Sequence, residues 1–168
     1  MSFVVRDRIV INDPEHGRAV ARKAGAIFNP DGDQVIARVR DGILLGGMVY
    51  TAHVPGTSIG IHTAGFVRDW ANRDLIWASF HYPFVQLSVK RVFGQVQASN
   101  ERALAVNRKL GFKEVARIPG VFSCGDLVVM SMHRDECRWI HIRPRGLISN
   151  RTGVDQNYGW QEQGTPAS

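Results

Sequence analysis

The chain has no stretch of about 18 consecutive apolar residues, the length a membrane-crossing helix needs. Its first residues, Met1-Ser2-Phe3-Val4-Val5-Arg6-Asp7, lack the basic, apolar and small-residue regions of a secretion signal. A soluble, cytoplasmic protein with no membrane partner is the expectation. Cysteine is scarce: Cys124 and Cys137 are too few for a disulfide framework and too far apart for a zinc knuckle. Both read as reduced thiols, and no metal site is expected. Runs of five or six like charges are missing as well. The 21 Lys and Arg outnumber the 15 Asp and Glu, for a net charge of +6, but they are spread along the chain. The sign favours an anionic partner such as a nucleotide cofactor. The spread fits an ordinary solvated basic surface better than a nucleic-acid interface.

What is present fits one domain. At 168 residues with 44% hydrophobic and 21% charged residues, the chain is long enough to bury a core and too short for two comfortable domains. Residues 3–11 read as a strand rich in Val and Ile. Asp13-Pro14 is a helix N-cap with a first-turn proline, and Gly25 closes the helix it opens. After the turn at 30–33, residues 35–40 alternate as a half-exposed strand, Asp41-Gly42 is a hairpin signal, and residues 43–54 and 58–66 complete an antiparallel meander. From Trp70 the apolar spacing becomes helical, with Trp70, Trp77 and Phe80 read as core, and Pro83 predicts a kink near His81-Tyr82. Residues 91–97 form a strand. The next helix is the best specified: Asn100 caps it, Glu101 suits its positive end, Arg108 and Lys109 its negative end, and Gly111 stops it. Ala103, Val106 and Leu110 mark its sheet-facing side. Strands at 114–118 and 127–133 follow, separated by turns at Pro119-Gly120 and 123–126. Residues 143–168 are rich in Gly, Ser, Asn and Gln and lack apolar periodicity. The reading is a domain over 1–142 and an extended or disordered polar tail over 143–168, available to a protein partner.

Helices covering a mostly antiparallel sheet make this an α/β protein of the α+β kind. One segment narrows the choice: Ser99-Asn100-Glu101-Arg102-Ala103, then Leu110-Gly111-Phe112-Lys113-Glu114-Val115, preceded by Leu87-Ser88-Val89-Lys90-Arg91-Val92. It resembles the strand-to-helix segment of the GCN5-related N-acetyltransferase (GNAT) family, and the resemblance covers residues 35–134. The spelling Phe80-His81-Tyr82-Pro83-Phe84 through Leu110-Gly111-Phe112 is similar to small members encoded by bacteriophages, which would place the protein in the host cytoplasm or the virion.

The resemblance implies a splayed central sheet with the pantetheine arm of acetyl-CoA between strands 58–66 and 91–97. Ala64, Gly65, Phe66, Val67, Gln97, Ala98, Ser99 and Asn100 would line the arm by strand-edge hydrogen bonding. The pyrophosphate would sit at the next helix N-terminus, held by the loop Arg68-Asp69-Trp70-Ala71-Asn72-Arg73. Arg68 and Ala71 fit the family pattern there, whereas Arg73 stands where a small residue is usual. Asn107 stands where many members carry a general-acid Tyr, and asparagine cannot supply that proton. His62 is the titratable side chain on the fourth strand and suits proton abstraction near neutral pH; it also reads simply as a strand histidine. The implied activity is acetyl transfer from a CoA thioester to an amine by direct attack. A GNAT-shaped binding or structural protein that does not turn CoA over is the alternative, and a nucleic-acid-directed acyltransferase is a third.

Overall fold

The computed structural model describes residues 6–146. Residues 3–5 of the expected first strand and 147–168 of the expected tail lie outside the described residues. The described chain runs β1 (Asp7–Ile11), α1 (Pro14–Ala24), β2 (Gln34–Arg40), β3 (Ile43–Val54), β4 (Ser58–Gly65), α2 (Arg73–His81), a π-helical turn (Tyr82–Gln86), β5 (Arg91–Gln97), α3 (Glu101–Leu110), β6 (Lys113–Phe122) and β7 (Gly125–His133). Two short 3-10 turns, Arg134–Glu136 and Arg138–His141, follow. No described helix is long and apolar enough to cross a membrane.

The strands form one seven-stranded sheet in the order β1-β2-β3-β4-β5-β7-β6, antiparallel except where β4 meets β5. Two apolar clusters cover its faces. The larger packs α2, the π turn and α3 on one face through Ile36, Met48, Tyr50, Phe80, Phe84 and Leu104. The smaller packs α1 on the other through Val20, Ala21, Val35, Ala37, Val49 and Ala64. Alternate residues of β2, β3 and β4 therefore serve opposite helices, as the two-residue strand period requires.

The local signals act as expected at the helix ends. Asp13 accepts hydrogen bonds from the Glu15 and His16 amides, and Gly25 ends α1 at φ 73°. Asn100 accepts from the Ala103 amide and Gly111 ends α3 at φ 106°. Pro83 falls in the π turn, where its missing N–H does not break a regular ladder.

Five expectations need correction. β2 is not half-exposed: it lies between β1 and β3 and is buried along its centre, including Arg38. Residue 70 precedes α2, whose N-cap is Asn72. β6 runs through Pro119-Gly120 with a register shift between Ile118 and Phe122. It tolerates proline because it is the sheet's edge strand, where a missing donor faces no partner. On α3 the buried residues are Leu104 and Leu110, while Ala103 and Val106 are only partly covered. The first residues assigned to the tail are docked: Arg73 Nε donates to the Arg143 carbonyl at 2.6 Å, and the Arg145 and Gly146 amides donate to the Asp74 carboxylate at 2.6 and 2.7 Å.

Candidate functional site

β4 and β5 pair in parallel only over Ser58–Arg91, Ile59–Val92 and Gly60–Phe93. Beyond that point they part, yet each keeps its outer neighbour: β4 stays on β3 up to Gly65, and β5 stays on β7 up to Gln97. Two strand edges thus face each other without bonding, and between them lies a cavity of about 480 Å³. The divergence begins at Gly94, where a Cβ would stand 3.1 Å from the Ile61 carbonyl oxygen. Unpaired backbone donors and acceptors along both walls are the chemistry a strand-like ligand needs.

The slot passes through the sheet. From the α1 side it is lined by His62, Ala64 and the α1 terminus Lys23-Ala24-Gly25; from the α2/α3 side by Trp70, Ala103, Val106, Asn107 and Phe112. Trp70 lies flat on the Gly46–Gly65 pair of β3 and β4, since a Cβ on Gly46 would fall 2.6 Å from its ring and one on Gly65 would overlap it. Glycine at both places lets the indole reach the backbone.

Arg38 fixes the loop that carries Trp70. Its guanidinium holds the Asp7 carboxylate through Nε at 2.9 Å and Nη2 at 2.6 Å, and Nη1 donates to the carbonyls of Asp69 at 2.6 Å and Trp70 at 3.1 Å. The hydrogen bonds from Arg38 hold the Asp7 carboxyl below its usual value, against the opposing effect of burial. A charge buried to 4% exposure with all three nitrogens bonded is the arrangement that makes such burial tolerable.

His62 is partly buried, and its Nε2 stands 3.2 Å from Thr51 Oγ1, a bond whose direction the imidazole tautomer sets. Burial pushes its pKa below the ordinary histidine value, with the Asp33 carboxylate pulling weakly the other way. It is therefore a neutral imidazole at neutral pH. The slot brings His62 and Asn107 into one cavity, one from each face of the sheet. Asn100 uses Oδ1 to cap α3 at 3.0 Å and its backbone amide donates to the Gln97 carbonyl at 2.9 Å, while its side-chain nitrogen Nδ2 has no partner among the described residues.

Of the residues assigned to the cofactor by sequence, Ala64, Gly65, Gln97 and Asn100 line the slot. Phe66, Val67, Arg68, Ala71, Arg73, Ala98 and Ser99 do not; Arg73 is turned to Arg143. Lys23, Trp70, Arg102 and Phe122 line it and were not foreseen as site residues. Cys124 was not placed at the site either, but its Sγ lies 3.5 Å from Ser99 Oγ and 3.6 Å from Gln97 Oε1, at the end of β5. No described tyrosine lines the slot. Tyr50 is buried in the core, donating to the Ser79 carbonyl at 2.7 Å, and burial drives its pKa upward.

Solved structures share this architecture. A mutant of the spermidine N-acetyltransferase SpeG from Vibrio cholerae superposes with a TM-score of 0.61 at 12% identity, over 80% of this chain and 96% of that one. A GNAT-family acetyltransferase from Bacillus anthracis gives 0.57 at 14% identity, over 78% and 96%. The chain has the GNAT fold. No family model matches the sequence, and no curated protein matches it significantly. The GNAT-fold relationship is therefore carried by the order of strands and the parting of β4 from β5, and the neighbours match nearly their whole length.

Proposed function

We propose that this protein transfers an acetyl group from acetyl-CoA to an amine by direct attack. The observation that carries this reading is the slot between β4 and β5, with its two unpaired edges. The slot fits an extended, strand-like arm: its walls present the open edges of β4 and β5, and Gly94 brings no side chain to the point where they part. Gly65, Ala64 and Gln97 would hold the arm, with the spare amide nitrogen of Asn100 donating to it. When bound, acetyl-CoA supplies an activated acyl thioester.

The rest belongs to the chain's own residues. His62, neutral and in the slot wall, takes the proton from the incoming amine at an imidazole nitrogen. Thr51 orients that ring. Backbone amides along the open edge of β4 supply donors for a developing negative charge. Asn107 can donate a hydrogen bond but is no acid, so a proton delivered to the leaving thiolate from the α3 side comes through water. Neither cysteine is called on as a nucleophile. A cytoplasmic setting, where CoA thioesters are made, suits this chemistry.

A second reading is favoured by one observation. One residue expected to hold the pyrophosphate, Arg73, is turned to the Arg143 carbonyl, and the neighbouring Asp74 holds the amides of Arg145 and Gly146. In that reading the fold serves as a binding or assembly component without turnover. Calorimetric titration with acetyl-CoA, followed by thiol release in the presence of an amine panel, separates the two. Saturable binding that raises the melting temperature, with amine-dependent thiol release, is expected. Binding without release supports the second reading, and no binding at millimolar acetyl-CoA overturns the first.

A further inference from the structure

The slot opens on both faces of the sheet, and the opening under α1 is the one that bears on the acceptor. Ala64 packs in the cluster that α1 covers, so His62, two residues earlier on the same strand, presents its imidazole on the α1 face. An amine that gives its proton to His62 therefore enters from that face. The last turn of α1 stands over the same opening, where Lys23, Ala24 and Gly25 line the slot. Lys23 Nζ lies 5.5 Å from the centroid of the Phe66 ring. The Phe66 amide still donates to the Leu45 carbonyl at 2.8 Å, so the strand geometry of β4 continues to that residue. His62, Ala64 and Phe66 thus form one row on the α1 face, with the imidazole at one end and the ammonium above the other. At about 3.3 Å per residue the ends of the row are about 13 Å apart. The surface between them is apolar, made by the Ala64 methyl and a Phe66 ring that is 40% exposed. Lys23 makes no ion pair among the described residues, and no carboxylate lines the slot. Asp33 acts on His62 through space, but its carboxylate accepts from the Asn29 amide at 2.7 Å and is not in the lining. Arg102, the other cation of the lining, stands on α3 on the opposite face.

We infer that the acceptor of this site carries a carboxylate several bonds away from its reacting amine, on an apolar spacer, and that Lys23 receives that carboxylate. The inference rests on the acyltransferase reading, with His62 as the base, and names the acceptor class for it. A spacer of about five carbons, with a hydrogen bond of about 3 Å at each end, spans the row. A carboxylate directly beside the amine falls short of the ammonium. A diamine of the same length brings a second cation to Lys23, with no carboxylate in the lining to receive it. Lys23 is itself exposed, so the pairing selects among acceptors more than it adds affinity.

The test compares three amines of one length and graded charge, 6-aminohexanoate, 6-aminohexanol and hexamethylenediamine, on the full chain with acetyl-CoA, read as thiol release. Their kcat/KM values should fall in that order, by about fivefold at each step, the size of an exposed charge pair. Lys23→Met should remove the preference for 6-aminohexanoate through KM, Lys23→Glu should invert the order, and Lys23→Arg should keep it. Arg22→Met, in the same turn of α1 but not in the slot, should keep it too, which separates a local contact from a loss of net charge. Melting curves confirm that each variant is folded. Calorimetry with 6-aminohexanoate adds a readout without turnover: binding to the wild type that Lys23→Glu loses is expected. Turnover of the amines with no charge preference, or a preference that Lys23→Glu leaves in place, overturns the inference while the acyltransferase reading stands. Lys23-dependent binding of 6-aminohexanoate with no thiol release from any amine keeps the carboxylate at Lys23 and overturns that reading. Neither binding nor release overturns both.

Discussion

The same two strands behave differently at their two ends. At one end β4 and β5 are zipped through residues 58–60 and 91–93, with Ile59 and Val92 buried and both the Lys90 and Arg91 amides donating to the Thr57 carbonyl. At the other end they are apart and lined by Gly65, Gln95 and Gln97. The difference does not come from weaker strands at the open end, because β3 and β7 hold them there in register. Each strand is secured from outside, so the inner edges can be left for a ligand. A sheet normally covers or pairs such edges, whereas here two of them face one cavity.

The largest effect is expected at Arg38, which stands on β2 opposite Gly46, in line with Gly65 at the open end, and pins the loop beside it. Arg38→Met leaves Asp7 with Arg40 alone and orphans the Asp69 and Trp70 carbonyls. A loss of about 3–5 kcal/mol is expected, the cost of breaking a buried pair, read as a lower midpoint in urea unfolding. An unchanged midpoint would show that the loop is held by other means. Next is Gly65→Ala, whose methyl would overlap the Trp70 ring. It should cost about 1–3 kcal/mol through overpacking, and calorimetry should show loss of CoA binding. Asn100→Ala removes the α3 cap and the amide facing the slot. About 1 kcal/mol of stability is expected to go, with a fall in CoA affinity beyond what that loss explains; unchanged affinity would misplace the arm.

The smallest and sharpest is a pH effect at His62. Its folded pKa lies below its unfolded one, so the unfolded chain takes up the proton first as pH falls. The stability associated with neutral His62 is complete above the unfolded value of about 6.5 and is lost below it, down through the lower folded value. Activity should follow the folded value: the acid limb of the rate profile should lie below pH about 6.5. His62→Gln should lower the rate and abolish that limb. A limb that survives the substitution would remove His62 as the base.

Much of the frame was legible because its signals are local. The cap at Asn100, the stop at Gly111, the Asp41-Gly42 hairpin and the break at Pro83 each act over a turn or less, and each sits where the sequence placed it. Part of the slot lining had been named through the GNAT resemblance: His62, Ala64 and Gly65 on β4, Gln97 on β5, Asn100 at the cap of α3 and Asn107 within it. What escaped depends on distant parts of the chain. Arg38 looked like an outward residue in an alternating strand because its partner, Asp7, and its carbonyls at 69 and 70 are about thirty positions away. Lys23 is a routine helix-end cation until α1 packs beside β4. Trp70 was correctly read as packed, but its place over Gly46 and Gly65 requires the β3–β4 register. Pro119 announced a turn because no local signal says that β6 will be an edge.

The position of Trp70 also equips the molecule with an optical reporter. Trp77 stacks on His81 at 4.4 Å and Trp139 donates to the Leu110 carbonyl at 2.7 Å, both away from the slot, so among the described tryptophans Trp70 alone lines it. An indole whose face borders the cavity emits according to the polarity beside it. Filling the slot with ligand replaces water next to that ring, so occupancy is readable as a shift in intrinsic fluorescence, with no label attached and at protein concentrations far below those calorimetry needs.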